Sequence, residues 1–316
     1  KPWETTGMVV LQAESETSSI NMVYGGASCG KKVMTSSSSP GVSLMCEGIS
    51  YIAGAELPCV IVDVMRGGPG LGTIQPSQSD YNQIVKGGGH GDFHNIVLAP
   101  ASAQDMYDFV DWGFELAFKH RNPVVILADG IIGQMMEKVE MHDMKPRRTA
   151  EEIAKAAPWA TVGKPAGRER NIITSLSLDA DIQEKFNRKL KNKYDIIEET
   201  EVKFTEYMTE DAEYLFVAFG CSSRICEAVV DDLRAEGIKA GLLRPITLYP
   251  FPVKEIARLS KQVKSMMSIE LNLGQMVDDV RLAVNGACPV GFYGRQGGNI
   301  FTPEEISEAF RKFNNL

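Results

Sequence analysis

Apolar residues in this chain come as short continuous runs separated by stretches of helical spacing. Residues 8–11 (Met-Val-Val-Leu) read as a strand, and Ile20, Val23 and Tyr24 give one apolar face to a helix over 17–30. A second strand is expected at 32–35, closed by a serine run. Ser39 then reads as an N-cap with Pro40 at the first helical position of a helix over 42–55. The run Cys59-Val-Ile-Val-Asp-Val-Met65 reads as a buried parallel strand within 58–65. A strand at 94–99, a helix at 103–119 and a strand at 123–129 follow. Strand–helix alternation of this kind predicts an α/β fold with a parallel sheet covered on both faces.

The rhythm breaks between about 140 and 209. The stretches 145–148 and 158–170 are charged and turn-rich, and Ile182, Phe186, Leu190 and Ile197 mark one bracing helix over 179–199. Alternation resumes with strand 214–219, helix 222–236, strand 238–243, a proline-rich turn, helix 253–261, strand 263–270, helix 274–285 and strand 289–293. The expected organisation is two domains, 1–140 and 210–316, with 141–209 as linker and brace.

Ligands of open parallel sheets sit beyond the carboxyl ends of the strands. That rule gathers Glu16, Thr35–Ser38, Arg66 and Asp129-Gly130 on one rim. The stretch 66–92, RGGPGLGTIQPSQSDYNQIVKGGGHGD, leaves the third strand there, with glycines on either side of a short amphipathic segment. Two glycine clusters suit either a ligand lying against bare backbone or a surface loop. Glu16 at a helix start is explained equally by the helix dipole. Arg66 has the fork to clamp a carboxylate, or it reaches solvent. The hydroxyls of Thr35, Ser36, Ser37 and Ser38 suit a polar cofactor or simple capping. His90, in the second glycine cluster, is a further candidate for substrate contact. Gly220-Cys-Ser-Ser looks like an anion-binding helix start.

Composition narrows the classes. The chain has 316 residues, 44% hydrophobic and 23% charged, with a formal net charge of −8. Such a surface argues against nucleic-acid binding, and no apolar run is long enough for a membrane span. The six cysteines form no CxxC pair, the four histidines have no ligand spacing, and neither a Walker loop nor a GxGxxG fingerprint is present. Free thiols in a reducing cytoplasm are expected.

Several runs together carry a specific likeness. QAESETSSINMVYG, TSSSSPG, RGGPGLGTIQPSQSDY with KGGGHGD, DGIIGQMME, LLRPITLYPFP, ELNLGQMVDDVRLAVNG and FYGRQGG stand in one collinear order along the chain. They resemble the pyrimidine-binding, alpha-type subunit of 2-oxoacid:ferredoxin oxidoreductases, most of all the 2-oxoisovalerate (branched-chain) group, with the 2-oxoglutarate group as the nearest competitor. The resemblance implies a thiamine-diphosphate pyrimidine-binding domain followed by a transketolase-C-terminal-like domain. It implies oxidative decarboxylation of a 2-oxo acid, with coenzyme A as co-substrate and reduced ferredoxin as product.

By position in the family pattern, Glu16 hydrogen-bonds the aminopyrimidine and Arg66 holds the substrate carboxylate. The resemblance further implies that Thr35, Ser36, Ser37 and Ser38 line the cofactor pocket and that Gly67 and Gly68 line the substrate's. No metal ligand is assigned to this chain. Mg²⁺ and iron–sulfur clusters are expected on partners: a diphosphate-binding beta-type subunit and gamma/delta-type iron–sulfur subunits. The family also carries an upstream strand with a Tyr-Pro-x-Thr-Pro turn that is not in this sequence. The site is therefore expected to be shared, and the isolated chain inactive. A scaffold subunit without catalysis is the contrasting reading.

Overall fold

The computed structural model describes residues 6–143, 145–146, 148–164 and 167–316. Lys1–Trp3, together with Arg147 and Pro165-Ala166 inside the turn-rich stretches, lie outside them. Two five-stranded sheets organise these residues.

The first sheet has the order β1-β2-β4-β3-β8, built from β1 (Met34–Ser37), β2 (Cys59–Met65), β4 (Pro123–Asp129), β3 (Ile96–Leu98) and β8 (Thr247–Tyr249). Its first four strands are parallel, and β8 closes the edge antiparallel to β3. The second sheet has the order β10-β9-β6-β7-β5, from β10 (Val290–Gly294), β9 (Ser265–Glu270), β6 (Tyr214–Ala218), β7 (Ala240–Pro245) and β5 (Phe204–Tyr207). Here too the outermost strand, β5, runs antiparallel. Strands β2 and β4 bury almost every residue because helices cover both faces. Those helices are α1 (Glu16–Ser28), α2 (Ser39–Gly54) and α3 (Ala103–His120). The apolar core runs continuously from Val42, Ile49 and Val60 to Leu215, Val217 and Met266 of the second sheet.

The fold class is the expected one, and several details differ. Residues 8–11 are not a strand. Met8, Val9, Val10 and Leu11 are 51–76% exposed, and no strand lies beside them among the described residues. An apolar run becomes a strand only where a ladder partner exists. The second strand starts and ends two residues later than expected, because Ser36 and Ser37 pair with Val62 and Asp63 of β2 rather than forming a turn.

Helix α2 begins at Ser39, with Ser38 as N-cap. The Ser39 hydroxyl is engaged elsewhere, as described below. The bracing helix α5 (Ala180–Thr200) buries Leu190, Tyr194 and Ile197. Ile182, expected to pack, is 58% exposed, so only the later turns brace. The proline-rich turn supplies β8, and the linker supplies β5. A final helix, α9 (Pro303–Asn314), was not expected although Thr302 and Glu305 form a full capping box ahead of it. The remaining helices are α4 (Ala150–Ala156), α6 (Gly220–Ala235), α7 (Val253–Leu259) and α8 (Met276–Val284).

Candidate active site at the strand ends

Register brings the candidate residues together. Ser37 lies opposite Asp63, and Met65 opposite Asp129, so the carboxyl ends of β1, β2 and β4 share one rim. Along β1 the side chains alternate: Thr35 and Ser37 are half-buried, while Met34 and Ser36 are exposed on the other face. Thr35 Oγ1 lies 2.6 Å from Ser19 Oγ, and Ser37 Oγ donates to Glu16 Oε1 at 3.5 Å. The four hydroxyl residues proposed from sequence therefore divide. Thr35 and Ser37 meet the first turn of α1. Ser36 faces away, and Ser38 caps α2 without a side-chain bond.

Glu16 is the first residue of α1, whose N-cap Ser15 accepts the Ser18 N–H at 3.3 Å. The carboxylate is half-buried and favoured by the helix dipole. Gly41, in the first turn of α2, lies directly against it. A Cβ added at Gly41 would fall 2.0 Å from Ser37 Oγ and 2.7 Å from Glu16 Oε1. Glu16 therefore sits in a cradle that only a residue without a side chain leaves open.

Arg66 follows β2 and is half-buried, with a buried Nε that has no hydrogen-bond partner among the described residues. Its backbone N–H donates to Ser39 Oγ at 3.1 Å. Ser37 and Ser39, two residues apart, thus reach Glu16 and the Arg66 backbone respectively. Past Arg66 the chain turns tightly: Gly67 N–H donates to Gln75 O at 2.9 Å, and Thr73 N–H to Gly67 O at 2.8 Å. Gly72 (φ +55°) makes this possible, since a Cβ there would lie 1.7 Å from Gly67 O. Gly67 is buried and Gly68 exposed.

The second glycine cluster is elsewhere. Gly89 packs against Cys46 and Ser50 of α2, the His90 N–H donates to Ser50 Oγ at 2.8 Å, and the His90 ring meets Tyr51. Ser50 is eleven residues along α2 from Ser39, about 16 Å at 1.5 Å per residue. His90 is thus remote from Glu16 and Arg66. The helix start at Gly220 already holds an anion of the protein's own. Asp129 Oδ2 accepts the Cys221 N–H at 2.8 Å, and Asp129 Oδ1 accepts those of Ile131 and Ile132.

Two runs quoted for the family likeness, PSQSDY and ELNLGQ, meet across the sheets. Gln78 N–H donates to Leu271 O, Asn272 donates to Gln78 O, and Gln78 Oε1 accepts from Ser222 and from Leu271 N–H. Its Nε2 donates to Phe219 O at 2.9 Å. Every polar group of this buried glutamine is used, so the loop after β2 is fastened to the second sheet. Nearby, fully buried Glu270 accepts the N–H groups of Gln275, Met276 and Val277 and the Ser268 hydroxyl. It neutralises the start of α8 from below.

Sequence reading gave no role to Gly41, Asp63, Gln78 and Asp80, and it gave Ser39 only as a cap and one hydroxyl of the serine run. Asp63 alone carried a signal, as the one charge inside the apolar run of β2. All six cysteines are unpaired thiols, and burial pushes that of Cys59 up to about 12. No group of His, Cys, Asp and Glu able to hold a metal lies among the described residues, and no helix among them is long and apolar enough to cross a membrane.

Comparison with known proteins places this geometry. Residues 2–205 match the family described as pyruvate flavodoxin/ferredoxin oxidoreductase, thiamine-diphosphate-binding, and residues 212–306 match pyruvate:ferredoxin oxidoreductase core domain II. The chain is 51% identical to the ketoisovalerate oxidoreductase subunit VorB of Methanothermobacter marburgensis, covering 97% of this chain and 85% of that one. It is 37% identical to the 2-oxoglutarate synthase subunit KorA of Methanocaldococcus jannaschii, covering 96% and 87% respectively. Among solved structures, it superimposes with a TM-score of 0.78 on the 2-oxoglutarate:ferredoxin oxidoreductase of Magnetococcus marinus, at 26% identity, over 97% of this chain and 57% of that one. A split-gene transketolase shares the fold alone, with a TM-score of 0.59 at 15% identity. The chain belongs to the 2-oxoacid:ferredoxin oxidoreductase family, as an alpha-type subunit built on a thiamine-diphosphate-binding domain.

Proposed function

We propose that this chain is the alpha-type subunit of an enzyme that oxidatively decarboxylates a branched-chain 2-oxo acid, 2-oxoisovalerate (ketoisovalerate), to its coenzyme A thioester, with ferredoxin as acceptor. The 51% identity to a ketoisovalerate oxidoreductase subunit, against 37% to a 2-oxoglutarate synthase subunit, favours the branched-chain substrate. In this reading residues 1–140 are the pyrimidine-binding domain, 141–209 link and brace it, and 210–316 are the transketolase-C-terminal-like domain. A beta-type subunit grips the diphosphate through Mg²⁺, gamma/delta-type subunits carry the iron–sulfur clusters, and the assembly works in the cytoplasm.

The observation that carries the proposal is the pairing at the ends of adjacent strands. Glu16 is held by Ser37 beside side-chain-free Gly41, and Arg66 is held through Ser39 two residues on. A half-buried carboxyl at a helix start fits the ring nitrogen of an aminopyrimidine, with which it can share a proton. When bound, thiamine diphosphate supplies the electron sink for decarboxylation. Glu16 holds the proton at the ring nitrogen, and the Ser37 hydroxyl holds its carboxyl against the end of β1. Arg66 orients the substrate by its carboxylate, and the tight Gly67–Gly72 turn limits the space beside it.

The test uses the full-length protein reconstituted with its partner chains. Glu16→Gln should lower turnover by about 10²–10⁴-fold while the complex still assembles. Unchanged turnover would remove Glu16 from the mechanism. Across a panel of 2-oxo acids, kcat/KM should be highest for 2-oxoisovalerate, and a preference for 2-oxoglutarate would overturn the substrate assignment.

A further inference from the structure

Behind Arg66 lies a buried polar cluster. Asp63, in the middle of β2, is 0% exposed, and neither of its carboxyl oxygens has a hydrogen-bond partner among the described residues. Asp80, on the loop fastened by Gln78, is also buried and accepts from Ser39 Oγ. The same Ser39 oxygen accepts the Arg66 backbone N–H at 3.1 Å and lies 3.3 Å from Arg66 O. One hydroxyl therefore joins the loop carboxyl to the backbone of the arginine.

Burial pushes the Asp63 carboxyl well up, and the nearby Asp80 carboxyl adds to the push. The Ser39 backbone N–H eases it without reaching ordinary hydrogen-bond geometry. Burial raises Asp80 as well, but the Ser39 hydroxyl and the Arg66 guanidinium both favour its anion. Two adjacent buried carboxyl groups disfavour each other's ionisation, and of the two only Asp80 has a hydrogen-bond donor, the Ser39 hydroxyl.

We propose that Asp80 is a positioning residue for Arg66: through the Ser39 hydroxyl it fixes the backbone of Arg66 at the end of β2, and so the point from which the guanidinium reaches the carboxylate of the 2-oxo acid. This rests on the substrate-binding role given to Arg66 above. The geometry supports it because one hydroxyl, that of Ser39, meets both the Asp80 carboxyl and the Arg66 backbone, while no carboxylate forms an ion pair with the Arg66 guanidinium among the described residues and its Nε is buried without a partner. Asp80 is itself set by the second sheet, since Gln78, Ser79, Tyr81 and Asn82 on either side of it bond to Leu271, Gln275, Asp279 and Gln275 in turn.

The experiment measures steady-state kinetics of the reconstituted complex with Ser39→Ala, Asp80→Asn and Arg66→Ala, alone and combined. Ser39→Ala breaks the link without changing charge, and Asp80→Asn removes the charge while keeping an acceptor for Ser39. Each should raise KM for the 2-oxo acid about tenfold with kcat changed less than twofold. Neither should add to the KM increase of Arg66→Ala, because residues acting through one group are not additive. A role confined to stability would lower kcat or the melting temperature and would persist in the Arg66→Ala background, which overturns the proposal. KM unchanged in both single variants while Arg66→Ala raises it overturns the positioning role and leaves the function of Arg66 standing. KM unchanged in Arg66→Ala overturns both. Should Asp80→Asn fail to assemble, Ser39→Ala decides the matter by the same criteria.

Discussion

Gly41 and Glu16, on two different helices, touch: a Cβ on Gly41 would fall 2.7 Å from Glu16 Oε1 and 2.8 Å from its Cγ. Glu16 opens α1 and Gly41 lies in the first turn of α2, so both helix starts converge over the end of β1. Gly41→Ala should favour the helix by up to about 1 kcal/mol in propensity, yet it forces Ser37 and Glu16 aside. The expected result is a complex that assembles and melts within a few degrees of the parent, with turnover reduced at least tenfold. Turnover and melting temperature measured on the same preparation check it. A fully active Gly41→Ala complex would show that the carboxylate has room to spare.

The buried carboxyl of Asp63 makes a prediction about pH. Its folded-state pKa is raised, first by burial and then by the Asp80 charge, above the roughly 3.9 of an unfolded chain. Between those two values the folded state binds a proton that the unfolded state lacks, so stability falls as pH rises, by about 1.4 kcal/mol per pH unit. The contribution is complete below about pH 4 and is lost on the way up to the folded pKa. The Asp80 carboxyl acts on Asp63, the Arg66 guanidinium acts on Asp80, and Asp63 acts on the Cys46 thiol, so the slope belongs to the group. Asp63→Asn removes the titration at near-constant volume. Denaturation midpoints between pH 5 and 9 should therefore decline less steeply for Asp63→Asn than for the parent. Parallel curves would refute this.

Gln78→Ala should unfasten the loop from the second sheet. It leaves Leu271 N–H and Ser222 Oγ without their acceptor and Phe219 O without its donor. Each buried unsatisfied group costs about 1–3 kcal/mol, so a loss of several kcal/mol is expected. Denaturant titration gives the magnitude, and amide exchange should rise first around 271–279. Loss of protection confined to some other region would contradict the role given to Gln78.

Glu270→Ala removes the acceptor for the first N–H groups of α8. A destabilisation of about 3 kcal/mol or more is expected, because the Met276 and Val277 donors are buried and α8 has no side-chain cap of its own. Glu270→Gln keeps a partial acceptor and should fall between parent and Ala. Equal stability of Gln and Ala variants would mean that the carboxylate shape, rather than its bonds, is what matters.

Much of the fold could be read before any coordinates. The apolar runs of β2, β4, β6 and β9 and the helical spacing of Ile20 and Val23 are local signals, set by which faces of an element meet the core. The places of Glu16 and Arg66 on one rim were legible for the same reason, since each stands where an element begins or ends, whereas the roles proposed for them came from the family resemblance. The reading failed where a local signal depends on a distant partner. Residues 8–11 have strand composition but no neighbour to pair with, and Thr247–Tyr249 has turn composition but becomes a strand because Val97 and Leu98 offer an edge.

The linear order of residues therefore carries the elements, the parallel sheets and the two ends of the candidate site. It carries neither the contact of Gly41 with Glu16 nor the sharing of Ser39 by Asp80 and Arg66. Those depend on the strand order β1-β2-β4-β3 and on a second sheet that clamps Gln78. Hydrophobic periodicity records whether a side chain faces the interior, and it says nothing about which interior residue it will meet. Which carboxyl lies behind the arginine is settled only when residues far apart in the chain are packed at hydrogen-bond distance.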